Sequence, residues 1–221
     1  MSAEFFAAVR TGDQDEVQRL LLQDPDLLHA RDEDGLSPIL VAAYQHEPEL
    51  ARFLADRQVV LSIFEAAATG KTDRILRLLA KDPGQVNAYA VDGFQPLGLA
   101  AYFGQESAAR VLVEAGADLH TPARNTLGAT PLGSAVAGRN PAITRLLLEA
   151  GADPNVQERG GHTPLHAAAH HGDVEILRSL LVAGADTQAV NEDGKTALDL
   201  AQAAGHKAVM QVLREWSPAD Q

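Results

Sequence analysis

Residues 161–168 read GHTPLHAA, and this stretch decides the fold because close copies of it recur at a fixed distance. Thirty-three residues later, residues 194–201 read GKTALDLA, and thirty-three residues earlier, residues 128–135 read GATPLGSA. The tetrapeptide AGAD also recurs, at 115–118 and 150–153 and again at 183–186. Several positions therefore recur together with a period of about 33 residues, which indicates a repeat protein.

The N-terminal half has a second period, of 58 residues, over which residues 6–44 resemble residues 64–102. Asp34-Gly35 corresponds to Asp92-Gly93, and the sequence AAY at 42–44 corresponds to AAY at 100–102. This pattern predicts a duplicated block of two repeats. The two periods together predict seven helix pairs, with the bounds 4–31, 32–58, 59–90, 91–124, 125–158, 159–190 and 191–216.

The sixth predicted pair shows why each repeat forms two helices. Thr163 is a good N-cap, and Pro164 suits the first helical position, where no amide donor is needed. Gly172 ends this helix and Asp173 is placed to cap the next one. Gly184 then provides a left-handed stop. A single pair leaves apolar faces uncovered, so neighbouring pairs must stack.

With these motifs, the sequence resembles the ankyrin repeat family over nearly its whole length. The resemblance implies an all-α, curved solenoid in which a short hairpin-like finger precedes most pairs. It also implies one domain, 1–221, with a cap pair at 1–31, internal repeats at 32–190, and a cap pair and tail at 191–221. Two departures are visible. The third pair lacks the finger motif, which leaves the finger between pairs two and three in doubt, and Arg139 replaces the usual glycine, which predicts a distorted turn.

Composition excludes several function classes. The 221 residues include no cysteine, so disulfides, thiolate zinc sites and cysteine nucleophiles are excluded. A net charge of -12 argues against nucleic acid and anionic membranes as partners, and it favours a basic protein. Residues 1–58 hold 12 of the acidic residues against 5 basic ones. No secretory signal or membrane-spanning stretch is visible, so we expect a cytoplasmic protein.

Candidate catalytic and metal sites are poorly supported. His166 and His170 have the spacing of two ligands on one helix face, but no third ligand completes the set. The family resemblance instead implies that His166 bonds the backbone of the neighbouring finger. No nucleophile elbow, phosphate loop or calcium loop occurs. We therefore expect no catalytic residue, no metal and no cofactor.

The resemblance implies that a partner protein binds the concave side, which the fingers and the ends of the first helices form. Transferred onto this sequence, the candidate partner-binding residues are Leu36, Tyr44, Gln45, Phe94, Tyr102, Phe103, Arg159, His162, His170 and His171. Glu33 and Asp34 would steer a basic partner. Phe94 is expected on a fingertip with few core contacts, whereas Tyr44 and Tyr102 suit either an interface or packing within the stack.

The expected function is a non-catalytic protein–protein interaction module. One alternative is an inhibitor or immunity-type protein that occludes a basic enzyme, because the N-terminal end is strongly acidic. An enzyme built on the solenoid is the less favoured alternative, since no catalytic constellation is visible.

Overall fold

The computed structural model describes residues 1–58 and 60–216, and these form fourteen α-helices arranged as seven consecutive pairs, with no strand among them. The helices are α1 Ser2–Arg10, α2 Gln14–Gln23, α3 Pro38–Tyr44, α4 Pro48–Arg57, α5 Ile63–Thr69, α6 Thr72–Lys81, α7 Pro96–Tyr102, α8 Glu106–Glu114, α9 Pro131–Ala137, α10 Pro141–Glu149, α11 Pro164–His171, α12 Val174–Val182, α13 Ala197–Ala204 and α14 Lys207–Glu215. Short 3-10 segments occupy Pro25–His29, Pro83–Asn87 and Arg159–Gly161. The predicted all-α solenoid of seven pairs is confirmed.

The helices form two layers with the core between them. The odd-numbered inner helices contact one another in order from α1 to α13, and the outer helices from α6 to α14 do the same. Small buried residues such as Ala42, Ala101 and Ala168 let the inner helices approach closely, while the outer helices contribute larger side chains such as Leu112 and Leu147. The apolar stripe of each pair is therefore covered by the next pair.

Within the described part of the chain, five hairpin-like fingers precede inner helices, at 32–36, 90–94, 123–129, 158–162 and 191–195, and each is closed by a backbone hydrogen bond between its two ends. Neighbouring fingers are also joined. The Arg124 amide donates to the Gly93 carbonyl at 2.8 Å, and the Glu192 amide donates to the Gly160 carbonyl at 2.9 Å. The fingers therefore form a connected row along one edge of the stack.

The third pair has no room for a finger. Residues 58–62 alone join α4 to α5, whereas residues 150–163 join α10 to α11. The fingers of pairs two and four consequently become neighbours: a methyl group added to Gly35 would lie 3.6 Å from Val91 Cγ2. The doubt raised by the sequence is thus resolved in favour of a short connection, apart from Val59, which lies outside the described residues.

The turn between α9 and α10 differs from its sequence-based expectation. Arg139 adopts the left-handed conformation, with φ 56°, that glycine adopts in most other pairs, and His46 does so in pair two, with φ 60°. The Asn140 amide still bonds the Ala135 carbonyl at 2.9 Å, so the expected distortion is wrong. Asp173 is the N-cap residue of α12, as expected, but its side chain makes no capping hydrogen bond. Its carboxylate instead accepts hydrogen bonds from Arg139, at 3.0 Å from Nε and 2.7 Å from Nη2.

In pairs five and six, different residues bind the amide and hydroxyl of the N-cap threonine of the inner helix. In pair six, His166 Nδ1 lies 3.2 Å from the Thr163 amide and 2.8 Å from its hydroxyl, while Nε2 lies 2.9 Å from the Lys195 carbonyl of the next finger. The structural role expected for His166 is confirmed. In pair five, glycine stands at the histidine position, and Glu158 from the next finger accepts the equivalent bonds from the Thr130 amide, at 2.6 Å, and hydroxyl, at 2.8 Å. The carboxylate fills the space that an imidazole fills in pair six.

Among the described residues, the helices are too short or too polar for any one of them to cross a membrane.

Candidate functional site

We call the surface formed by the fingers and the C-terminal ends of the inner helices the inner face; it is the surface that the sequence assigns to the concave side. The turns that connect each inner helix to its outer helix form its turn edge, and the fingers form its finger edge. Because side chains on a helix lean toward its N-terminus, residues near the ends of inner helices lean toward the fingers.

An aromatic cluster lies at the centre of the inner face. The ring centre of Phe103 lies 5.1 Å from those of Tyr44 and Tyr102, and the two tyrosine rings are 6.5 Å apart. Tyr44 and Tyr102 come from α3 and α7, so they meet across α5, where Ala68 stands at the corresponding position. The rings are half-buried, and each therefore packs against the others while keeping one side in solvent. The structure brings these three candidate residues together.

Tyr44 also contacts a finger. Its hydroxyl donates to Asp92 Oδ2 at 2.8 Å, across 48 residues of sequence. Burial raises the pKa of the Tyr44 hydroxyl well above its ordinary value, and the Asp92 carboxylate adds to this effect. Since the tyrosine remains protonated, it acts as a permanent donor that ties α3 to the finger of pair four.

Leu36 and Phe94 close the bases of their fingers. The Leu36 carbonyl accepts from the Asp32 amide and the Phe94 carbonyl accepts from the Ala90 amide, so each residue ends a hairpin. Both side chains are half-buried and pack against the core. A methyl group added to Gly98 would lie 3.5 Å from Phe94 Cδ1, which shows how closely the ring rests on α7. The expectation that Phe94 sits on a fingertip with few core contacts is therefore wrong.

Exposed acidic residues occupy the N-terminal end of the finger edge. Glu33 and Asp34 are solvent-exposed, whereas the neighbouring Asp32 is held by Arg10 at 3.0 Å. Gln45, at the end of α3, is also exposed. Glu33 and Asp34 are thus the carboxylates of this finger that face solvent and could attract a partner.

Arg159 and His162 belong to the finger of pair six and hold it to its neighbours. Arg159 Nη1 donates to the Thr126 carbonyl of the preceding finger at 2.6 Å. His162 Nε2 lies 3.3 Å from Asn191 Nδ2 of the following finger. Both residues remain partly or fully exposed, but their polar groups already have intramolecular partners.

His170 and His171 lie at the turn edge, away from the aromatic cluster in the stack order. The His170 carbonyl accepts from His206 Nε2 at 2.9 Å, and the two adjacent histidine rings are 5.7 Å apart. His171 Nδ1 is buried and has no hydrogen-bond partner among the described residues. Burial lowers the pKa of His171, and the neighbouring His170 lowers it further, whereas the Asp173 carboxylate acts in the opposite direction.

The described residues contain no group of three or more histidine, aspartate or glutamate side chains placed to hold a metal ion.

Comparison with known families agrees with this architecture. Residues 63–158 match the family described as "Ankyrin repeats (3 copies)", and residues 147–201 match the one described as "Ankyrin repeats (many copies)". The two matches together span more than half of the chain. The chain belongs to the ankyrin repeat family. Ankyrin repeats are in general protein–protein interaction modules rather than enzymes.

One feature of this ankyrin repeat stack is absent from the sequence-based site: a cavity of about 360 Å³ at the turn edge. It extends from pair two to pair five. It is lined by Ala43, His46, Pro48, Ala51, Arg52, Ala68, Thr69, Tyr102, Phe103, Gln105, Ala137, Gly138, Arg139 and Asn140. The sequence contains a pattern that could have indicated this cavity: Ala68 and Ala137 stand in pairs three and five at the position that Tyr44 and Tyr102 occupy in pairs two and four.

Proposed function

We propose that this protein is a non-catalytic binding module that holds a partner protein on its inner face. The observation that carries the proposal is the cluster of Tyr44, Tyr102 and Phe103. Aromatic residues make up 5% of the chain, yet these three gather on the surface that ankyrin repeats generally offer to partners. Half-buried aromatic side chains that are already held in place are typical anchors of interfaces, because little conformational freedom is lost on binding.

We further propose that residues 1–221 act as a single domain, with the first pair, in 1–31, and the last pair, in 191–221, as its caps. One continuous cluster of buried apolar residues from Phe5 to Val212 supports this view. Since each pair packs mainly on its neighbours, the seven pairs would present one extended surface to a partner.

The partner is proposed to be basic. Glu33 and Asp34 are exposed at one end of the finger edge, and the whole chain carries a net charge of -12. Exposed charges of one sign accelerate encounter with an oppositely charged protein, and they disfavour nucleic acid and anionic membranes.

The test is a kinetic binding measurement with a partner captured from the native host. Phe103→Ala should weaken binding by about 2 kcal/mol or more if Phe103 is an anchor. Its fold should survive, because Thr69 and Gly138 occupy the same position in pairs three and five. Val182→Ala removes an exposed apolar side chain from the outer helix α12 and is the matched control. Unchanged dissociation of the Phe103→Ala complex would refute the anchor.

The steering role has its own variants, Glu33→Gln and Asp34→Asn. Both carboxylates are exposed, so their loss should slow association and weaken its salt dependence without accelerating dissociation. An association rate that keeps its salt dependence would contradict a basic partner.

An inhibitor of a basic enzyme is the second candidate, favoured by the same acidic finger. Stoichiometric loss of activity of a captured enzyme, relieved by the Glu33 and Asp34 variants, would support it. Binding with full retention of the partner's activity would exclude it.

A further inference from the structure

The cavity at the turn edge arises from an alternation of large and small residues along the inner helices. Two residues before each turn of positive φ, pairs two to five have Tyr44, Ala68, Tyr102 and Ala137 in succession. Pair four therefore raises a ridge, Tyr102 and Phe103, between two low positions. Gly138 lies so close to the Tyr102 carbonyl oxygen that an added Cβ would overlap it. The absence of a side chain at Gly138 makes the low position at Ala137 deeper.

The cavity has an apolar floor. Ala43, Ala51, Ala68 and Thr69 line it and are buried. With the Phe103 ring, they offer a hydrophobic surface beside the ridge. About 360 Å³ lies near the lower end of the range for ligand pockets, roughly 300–1,000 Å³. This volume suits one large side chain and its neighbour, and it is preformed.

Two arginines lie on the rim of the cavity, although the chain as a whole is acidic. Arg52, Arg139 and His46 line it and are exposed, and none of the described lining residues is aspartate or glutamate. Arg52 pairs with Glu49 at 2.7 Å and Arg139 with Asp173, also at 2.7 Å, but both acids lie outside the lining. The Arg52–Glu49 pair is exposed and therefore worth little, so an incoming carboxylate can replace Glu49. Arg139 holds Asp173, whose side chain is only 14% exposed, through both Nε and Nη2, so an incoming carboxylate would share the remaining donors of this guanidinium group.

We propose that this cavity binds a partner segment in which a large apolar side chain, aromatic or long aliphatic, adjoins an aspartate or glutamate. The apolar side chain would lie on the alanine floor against Phe103, and the side-chain carboxylate would bond the Arg139 and Arg52 guanidinium groups at the rim. This inference rests on the proposed function and specifies the partner further. The partner's basic residues would face the fingers, and its acidic residue would face the turn edge.

Two substitutions separate the apolar and ionic parts of this site. Ala137→Tyr fills the cavity; Ala137 is exposed, and tyrosine already stands at this position in pairs two and four, so the fold should be kept. Ala203→Tyr places the same residue at the same position of pair seven, outside the cavity, and is the matched control. Arg139→Gly removes the cation and restores the residue that suits φ 56°.

The experiment is selection of a display library of random peptides on the wild-type protein, followed by affinity measurements on the enriched peptides. We expect the enriched peptides to carry a large apolar residue beside an acidic one. Their affinity should fall about tenfold or more on Ala137→Tyr, as for loss of a central anchor. It should fall about two- to fivefold on Arg139→Gly, an effect that shrinks at high salt. Ala203→Tyr should bind as wild type does.

Three outcomes would overturn the inference. They are enriched peptides without acidic residues, peptides that bind Ala137→Tyr as well as wild type, and a library that yields no binder to this preformed cavity. The proposed function fails separately. If the captured partner is lost on Phe103→Ala but binds Ala137→Tyr normally, the inner face still binds a partner and only the cavity inference is wrong.

Discussion

In pair five, the Glu158 carboxylate takes the place that the His166 imidazole has in pair six, and this substitution leads to a prediction about stability. Thr130 is buried, and both its amide and its hydroxyl donate to Glu158 Oε1. Glu158→Ala would leave both donors without an acceptor. Gly133→His would restore the histidine of pair six, but an added Cβ at Gly133 overlaps the Glu158 carboxylate. Each single change is therefore harmful, and the two together are compatible.

The expected sizes follow from these contacts. A buried donor left unpaired costs about 1–3 kcal/mol, and removing a half-buried carboxylate returns part of this, so Glu158→Ala should cost about 2 kcal/mol. Gly133→His alone should cost about 1–3 kcal/mol through overpacking. In the double variant, the introduced imidazole would accept from Thr130 as His166 does from Thr163, and the helix loses a glycine. The double variant should lie within about 1 kcal/mol of wild type.

The assay is urea unfolding of the four proteins, followed by far-ultraviolet circular dichroism. We expect a favourable coupling free energy of about 2–5 kcal/mol between the two positions, which is the sum of the two single losses less the loss of the double variant. Additive losses, with the double variant less stable than either single one, would refute the view that the carboxylate substitutes for the imidazole.

Three further predictions concern pH and packing. Burial raises the pKa of Glu158 above its ordinary value of 4.5, so the carboxyl proton of Glu158 leaves the unfolded state at lower pH than the folded state. The free energy of unfolding of wild type relative to Glu158→Gln should therefore fall from about pH 4.5 upward and then level off. Urea unfolding curves at a series of pH values would measure this. Burial lowers the pKa of His171 below 6.5, so the unfolded state takes up a proton on this imidazole at higher pH than the folded state. The free energy of unfolding should therefore fall as pH drops through 6.5. His171→Phe, which introduces the residue that pair four has at this position as Phe103, should show a smaller drop in melting temperature between pH 7 and 5. Phe94→Ala should lower the free energy of unfolding by about 1–3 kcal/mol, because the ring packs on Gly98 of α7, and a melting temperature equal to that of wild type would place the ring in solvent instead.

The repeat period was sufficient to predict the stack. The 33-residue and 58-residue periods correctly predicted seven pairs, because in a solenoid each helix pair carries its own start, stop and apolar stripes. The left-handed stop at Gly184 is a local feature of this kind, and it is confirmed. Local chemistry of this kind is readable from sequence because its partners lie within a few residues.

The expectations that failed depend on contacts between repeats. Asp173 has the position of an N-cap, but Arg139, 34 residues earlier, binds its carboxylate instead. Phe94 follows a finger turn in sequence, yet packing on α7 decides its exposure. The cavity was missed because no single repeat contains it, and it arises only when Ala68 and Ala137 are stacked beside Tyr102.

The most direct test of the central claim is hydrogen–deuterium exchange of the free protein and of its complex with a captured partner. If the inner face binds the partner, amides of the fingers 32–36 and 90–94 and of the turns after α7 and α9 should gain protection. The outer helices α10 and α12 should exchange as they do in the free protein. Protection confined to those outer helices, with the fingers and turns unchanged, would contradict the account.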